Sequence, residues 1–542
     1  MKSYKKLLIA LALIIFLCIP AWHLFGKNYY AQEMFKLALI HLKGEGVPQD
    51  LPKALGYFER AANQDHLEAQ LFLAKSHLEG VIVPVDHQKA MEWLTKAAEL
   101  GDAKAETALG LAYFTGKGVL KDEAKGVSWW LKAAEKGNAE ARYNLALAYF
   151  NGLGAPVDQA KAVELTEKSA DQGYPLAQFA MGLKYSQGVG GPVNKTKALE
   201  WFEKAAKQGN KESELYLGLA YDNGEGTIID KAKALEWYQK AAEKGVAQAQ
   251  VILGRKYYKG EGVDAVDLAK AVDWWEKAAS LGNARAQYNL GRAYFLGEGV
   301  PVNYTKAAEW YQKAADQGLT EAQFNLALAY NLGQGVPVDK AKAVALHQEA
   351  AEKGFVPSQF FLGSSYRTGQ GVPADHVKAV AWFQKAADQG LAEAQLSLGL
   401  AYNFGRGVPV DMAKAFEWYQ KAADQGNVKA QFNLGNLYFL GQGVAVDKAK
   451  AVDWWLKAAD KGDASAQFNL GLAYAKGNGV PVNQAVAEEW YKKAAAQGEP
   501  NSIRELELTK EKEEKAKEEK AKAVKPKPKN AGAKRQATKR RR

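Results

Sequence analysis

The sequence predicts an all-α solenoid of stacked helix pairs, and two observations predict it: a strict internal period and a helical pattern within each period. The motif Ala-Ala-x-x-Gly places its glycine at Gly101, Gly137, Gly209, Gly245, Gly282, Gly318, Gly354, Gly390, Gly426, Gly462 and Gly498. Gly173 belongs to the series with Ser169 for the first alanine, and every step is 36 residues except the 37 between Gly245 and Gly282. One step before Gly101 the chain has Asp65 after Ala61 and Ala62, a degenerate first copy, which gives thirteen units over about Tyr30–Gly498. A period of this length means stacked supersecondary units, not one compact domain. At 542 residues the chain also exceeds the roughly 100–200 residues of a single domain.

Each unit reads as two helices. In Asn138–Gly173, Ala141, Leu145, Ala146 and Tyr149 recur at helical spacing. Gly152 and Gly154 then break the chain and Pro156 follows. Asp158 stands where an N-cap is needed, a place filled elsewhere by Asn194, Asp230, Asn303, Asp339, Asp411, Asp447 and Asn483. The second helix runs through Ala162, Leu165, Lys168 and Ala170 and stops at Gly173, the position of a left-handed C′ glycine. Lysines such as Lys132, Lys204, Lys313 and Lys457 lie near the C-terminal turns, where positive charge suits the helix dipole. No segment alternates with a period of two, so strands are not expected.

Packing is expected to centre on a tryptophan of the second helix (Trp93, Trp129, Trp201, Trp237, Trp274, Trp310, Trp382, Trp418, Trp454, Trp490) set against small residues of the first, such as Gly110, Gly291 and Gly435. A lone helix pair cannot bury such a face, so neighbouring units must stack.

The flanks differ from the repeats. Lys2, Lys5 and Lys6 precede the apolar run Leu7–Ile19, which reads as a signal peptide or an N-terminal membrane anchor within residues 1–27. In either case the positive residues stay in the cytoplasm and the rest crosses, which predicts an extracytoplasmic location in the periplasm or cell envelope. The solenoid is assigned to 28–500, a charged capping helix to 501–524, with Ile503 and Leu506 covering the last repeat, and a basic disordered tail to 525–542. Of the formal charge of +11, the C-terminus carries nearly all: Lys510–Arg542 holds fifteen Lys and Arg against five Glu. The body is close to neutral. The tail has no aromatic residue for base stacking, which argues against nucleic acid as a partner, and leaves two readings for the tail, contact with an anionic envelope surface or a simple solvated segment. Residues 7–25 would contact the membrane if uncleaved.

These motifs carry a resemblance. Ala-x-Ala-Gln-x-x-Leu-Gly-x-x-Tyr, then Gly-x-Gly-Val, Asp-x-x-Lys-Ala-x-x-Trp and Lys-Ala-Ala-x-x-Gly are similar to the Sel-one-like repeat, a branch of the tetratricopeptide-repeat superfamily. One copy stands complete at Ala464–Gly498, with Gln467, Leu470, Gly471, Tyr474, Gly477, Gly479, Trp490, Ala494 and Ala495. The resemblance implies a right-handed superhelix of antiparallel helix pairs and a non-enzymatic adaptor that binds other proteins or peptides along its concave surface. An envelope protein holding peptidoglycan, polysaccharide or anionic lipid through groove or tail is the alternative. Some cysteine-rich relatives act on β-lactams, but this chain has one cysteine, Cys18, so that activity is not carried over.

Chemistry that depends on singular residues is not expected. Gly-x-Gly-Val at Gly116–Val119 or Gly297–Val300 is a repeated turn, not a nucleotide loop. His41 and His77 occupy the tyrosine position of the first two units and read as packing variants, not metal ligands. Asn194 and Asn303 form sequons but read as N-caps. The acidic residues mostly fall at caps or on polar faces, and no cofactor is expected. For binding, the position two after the glutamine of the first helix carries Asn144, Asn289, Asn325, Asn433 and Asn469, with Tyr216 and Phe361 in other copies. An asparagine row at one-repeat spacing would clamp the backbone of an extended peptide through its paired donor and acceptor; the same side chains would otherwise bond to neighbouring helices.

Overall fold

The computed structural model describes residues 26–189 and 191–523. It divides into two compact units at Leu281/Gly282, each built by the same rule. The leader at 7–25 and the basic tail at 525–542 lie outside the described residues. Among the described residues there are only helices, turns and bends, with thirteen helix pairs and a final helix. The first pair is 26–43 and Leu51–Ala62. First helices, called A, begin the later repeats at Leu67, Ala103, Ala139, Pro175, Lys211, Ala247, Ala284, Thr320, Val356, Ala392, Val428 and Ala464. The second, B, helix of repeat 4 is Gln159–Asp171 and that of repeat 12 is Lys448–Asp460. Within each unit an A helix packs on the B helix of its own repeat, and that B helix packs on the next A helix.

Local chemistry sets these boundaries. In every repeat an Asp or Asn starts helix B, accepting a hydrogen bond from the backbone N–H three residues on; Asp158 with Lys161 and Asp447 with Lys450, both at 3.0 Å or less, are examples. Asn194 and Asn303 cap in the same way. This satisfies one of the orphan donors of each helix start. Helix Ala139–Asn151 ends on Gly152, in the left-handed region at φ +70°. Two residues later Gly154, at φ +71°, rides over the start of the preceding B helix, where a Cβ would come within 2.4 Å of the Glu123 carbonyl oxygen. The Gly-x-Gly pair is therefore a C-cap followed by an inter-repeat contact, as the repeated-turn reading requires. Asp65, in place of the turn glycine in the first copy, takes the left-handed conformation at φ +63°. The extra residue of the 37-residue step falls in the loop between Lys259 and Leu268.

The packing expectation needs correction by one residue. The side chain driven into the core is the one after the tryptophan: Leu94, Trp130, Phe202, Tyr238, Trp275, Tyr311, Phe383, Tyr419, Trp455 and Tyr491 are buried, as is Phe58 after Tyr57 in the first repeat. From Trp130 onward these meet the glycines of helix A, and a Cβ on Gly435 would lie 2.5 Å from Trp455 Cδ1. The predicted knobs, Trp454 among them, are half-buried. Each lies under the lysine three residues on, with Nζ 3.7–4.2 Å from the ring centroid for all ten. The i,i+3 spacing on a helix brings ring and ammonium together, a cation–π pair.

The final helix, Pro500–Ala523, packs on helix Gln484–Ala496. Glu499 caps it, accepting from the backbone N–H of Asn501 and Ser502. Ser502 is buried and Leu506 half-buried, but Ile503 points to solvent, contrary to expectation. Helical spacing puts Ser502 and Leu506 on one face and turns Ile503 away from it.

Candidate binding groove

The glutamine of helix A, the fourth residue, fixes the stacking. Gln467 is buried and its Nε2 donates to the carbonyl of Ala459 in the preceding repeat at 3.1 Å. Its Oε1 accepts from Gln497 at the end of its own repeat at 2.8 Å. Equivalent bonds link Gln178, Gln359 and Gln395 to the carbonyls before them and to Gln208, Gln389 and Gln425 after them. In repeats 3 and 6 the same two places hold Glu106 with Lys136 at 2.7 Å and Glu214 with Lys244 at 2.6 Å. Both glutamates are buried, exceptions among acidic residues expected mostly at caps or on polar faces. An amide pair and an ion pair hold the same place at the repeat boundary, but the ion pair leaves Glu106 Oε2 and Glu214 Oε2 buried without a hydrogen-bond partner. The matched exchange of Gln/Gln for Glu/Lys, thirty residues apart, was the available signal.

With stacking fixed, one face of helix A is left open toward the gap between repeats, and pockets recur there. Four lie at gaps 4/5, 5/6, 10/11 and 12/13, with volumes of about 290, 260, 260 and 330 Å³. At gaps 5/6, 10/11 and 12/13 the linings share three positions. The sixth residue of helix A contributes Tyr216, Ser397 and Asn469; the ninth contributes Leu219, Leu400 and Leu472; the preceding B helix contributes Phe202, Phe383 and Trp455. The sixth residue is the position of the asparagine row.

Asn144, Asn289, Asn325, Asn433 and Asn469 all stand there, half-buried. They are kept apart by the repeat spacing and do not meet. Asn469 Nδ2 donates to Asn436 Oδ1 at 3.1 Å, and Asn436 also accepts from Trp455 Nε1 at 3.0 Å. Asn325 is hydrogen-bonded to the Tyr311 hydroxyl of the preceding B helix. At these two places the amide ties adjacent repeats together as well as facing the groove.

Electrostatics varies along the groove of the first unit. Lys256 stands where most copies have alanine, the tenth residue of helix A, and is fully buried. Its Nζ lies 2.9 Å from Asp222 Oδ1, which also holds Lys231 Nζ at 2.9 Å, and the Tyr238 hydroxyl donates to Asp222 Oδ2 at 3.3 Å. Burial works against the Asp222 charge, but the hydrogen bonds from Lys231 and Lys256 hold its pKa below the usual carboxylate range. In the second unit His347 takes the place of the buried aromatic, stacks on Phe361 at 5.2 Å, and is held by burial at a pKa of about 4. His41 stacks on Tyr57, a packing role as expected. Among the described residues no group of three or more His, Cys, Asp or Glu could hold a metal ion.

Comparison with known proteins places this architecture. The Sel1 repeat model matches thirteen times: 34–66, 67–102, 103–138, 139–174, 175–210, 211–246, 247–283, 284–319, 320–355, 356–391, 392–427, 428–463 and 464–499. The crystal structure of a protective antigen present in uropathogenic Escherichia coli strains, which displays an SLR fold, is 34% identical, with 83% of this chain and 97% of that chain covered and a TM-score of 0.67. A Sel1 repeat protein from Oxalobacter formigenes is 35% identical over 57% of this chain and 90% of that one, with a TM-score of 0.46. Among curated proteins nothing matches. Repeats of this kind typically mediate protein–protein interaction, and their solenoids are generally non-enzymatic scaffolds. Thirteen consecutive matches spanning most of the chain make the conclusion direct: this protein belongs to the Sel1 repeat family.

Proposed function

We propose that this protein is a non-enzymatic scaffold that holds extended segments of partner proteins against the open face of its A helices. The observation that carries the reading is the recurrence of pockets at equivalent positions in gaps 5/6, 10/11 and 12/13, with the sixth and ninth residues of helix A in their linings. Equivalent sites separated by whole repeats suit a ligand that is itself periodic, which an extended peptide is. Asn144, Asn289, Asn325, Asn433 and Asn469 would meet the peptide backbone through amide groups able to donate and accept.

The compartment belongs to the same proposal. The leader in residues 1–27 would carry the repeats out of the cytoplasm, leaving them free in the periplasm or tethered at the envelope. The helix at 501–524 would close the last repeat, and the tail at 525–542 would add attraction to an anionic surface. A topology reporter fused after Gly498 is expected to be active only outside the cytoplasm; activity inside alone overturns this part.

The binding claim is tested by replacing Asn433 and Asn469 together with alanine and measuring affinity for a partner identified by crosslinking in cells. The expected result is a loss of about tenfold, the size of two weakened backbone contacts. Unchanged affinity removes the asparagines from the site.

A further inference from the structure

Repeat 4 breaks the packing rule of its neighbours. The core position filled by Trp130 one repeat before and Phe202 one repeat after is Thr166. The position before it is Leu165 instead of tryptophan, and the facing residue of helix A is Ala146 instead of glycine. Thr166 turns its hydroxyl to the Ala162 carbonyl of its own helix at 2.8 Å, so it offers the space beyond only its methyl group. Helix Gln159–Asp171 accordingly buries only Ala162, Ser169 and Ala170. The space is open: a pocket of about 290 Å³ between repeats 4 and 5, walled by Tyr143, Leu147, Phe150, Val163, Met181 and Leu183. Leu147 and Phe150 continue as an exposed apolar apron, 43% and 52% accessible.

What fits this space is shown by the rest of the chain, which puts a large, mostly aromatic side chain there in other repeats. A cavity of roughly 150 Å³ holds a benzene ring, so this one admits an indole or phenol. The surroundings add charge. At the ninth position of helix A, which is Leu147, Leu183 and Leu219 in repeats 4 to 6, repeat 7 has Arg255, followed one turn on by Lys259, both exposed. Lys231 is held by Asp222 at 2.9 Å and Lys259 by Glu261 at 3.6 Å, so the exposed cation this stretch of groove offers is Arg255.

We propose that the pocket between repeats 4 and 5 seats an aromatic side chain of a partner peptide whose flanking residues are acidic. This rests on the groove reading above and names its partner's chemistry. The ring replaces the missing core side chain of repeat 4, while a flanking carboxylate meets Arg255 farther along the groove. Apolar burial supplies the anchor and charge selects among aromatic segments.

The test uses the full-length protein and two probes. N-acetyl-tryptophanamide reports on the pocket by saturation-transfer NMR; the peptide acetyl-Glu-Glu-Gly-Trp-Gly-Glu-Glu-amide, against its all-lysine counterpart, reports on charge. Binding of both the amide and the acidic peptide is expected, with the acidic peptide about tenfold tighter than the lysine peptide at low salt. The Ala146→Gly/Thr166→Phe double variant, which restores the neighbours' sequence, is expected to melt no lower than wild type and to lose the amide signal. Phe150→Ala changes an exposed wall without filling the site and is expected to weaken the amide severalfold, which keeps the test decisive if the filled variant folds poorly. Equal binding to wild type and to both variants, or no binding to wild type, overturns the proposal. Equal affinity for the two peptides overturns its acidic part. Amide binding that appears only after residues 1–27 are removed shows the chain's own leader as the occupant and also overturns it. A partner crosslinked to the groove that stays bound in the filled variant leaves the scaffold function standing and removes only this pocket from it.

Discussion

Trp454 and Trp455 are adjacent in sequence and opposite in role. Trp455 fills the core against Gly435 and donates its indole N–H to Asn436, whereas Trp454 lies half-exposed beneath Lys457. Trp455→Ala is expected to cost about 3–5 kcal/mol and Trp454→Ala about 1 kcal/mol, read by denaturant unfolding. A reversed order would mean the registers are interchanged. The buried clamp of repeat 3 gives a sharper comparison. Lys136→Gln alone leaves the Glu106 carboxylate without its cation and is expected to destabilise by about 2–3 kcal/mol. Adding Glu106→Gln recreates the Gln–Gln pair of other repeats and should recover most of that loss. A double variant as unstable as the single one would show that the two side chains do not act as a pair.

At the scale of the helix, capping and C-terminal glycines were legible from the sequence because their signals are local: an Asp or Asn at a fixed offset, a glycine at the next turn. Asp158, Gly152 and Gly173 could be placed without any tertiary knowledge. The buried face of helix B could not be placed to the residue. Trp-Trp, Trp-Tyr and Trp-Phe pairs offer two large rings 100° apart on a helix, and which one turns inward depends on the facing helix. Ile503 was misplaced for the same reason. The Gln clamp stayed hidden because its partners lie thirty residues away, and the open pocket of repeat 4 showed only as a missing aromatic at Thr166. His347 marks a further deviation with a measurable consequence. Its folded pKa of about 4 lies below the usual histidine value, so the unfolded chain takes up a proton that the folded helix resists. Stability is therefore intact near pH 7 and falls as pH drops from about 6.5 toward 4, by about 3 kcal/mol locally. His347→Phe, which installs the aromatic used at Phe383, should flatten the decline in hydrogen exchange of helix Lys340–Glu352 between pH 7 and pH 5. Equal pH dependence in both proteins contradicts the assignment.

Across the molecule, the repeats share one architecture and differ in what they present. In the first unit the groove face passes from apolar at Leu147 and Phe150 to cationic at Arg255. In the second, the pocket at gap 10/11 is edged by Arg367, Arg406 and Lys429, and that at gap 12/13 by Asn436, Asn469 and Asn478. Uniform backs and variable grooves are what a scaffold with specific partners requires, since stacking needs every repeat alike and recognition needs them unlike. Photo-crosslinking in cells tests this division most directly. A benzoyl-phenylalanine at Leu440, exposed on the groove face of repeat 12, is expected to capture discrete partner proteins; the same residue at Asp453, exposed on helix B of that repeat, is expected to capture none. Equal capture at both positions, or capture from Asp453 alone, would contradict a groove-based scaffold.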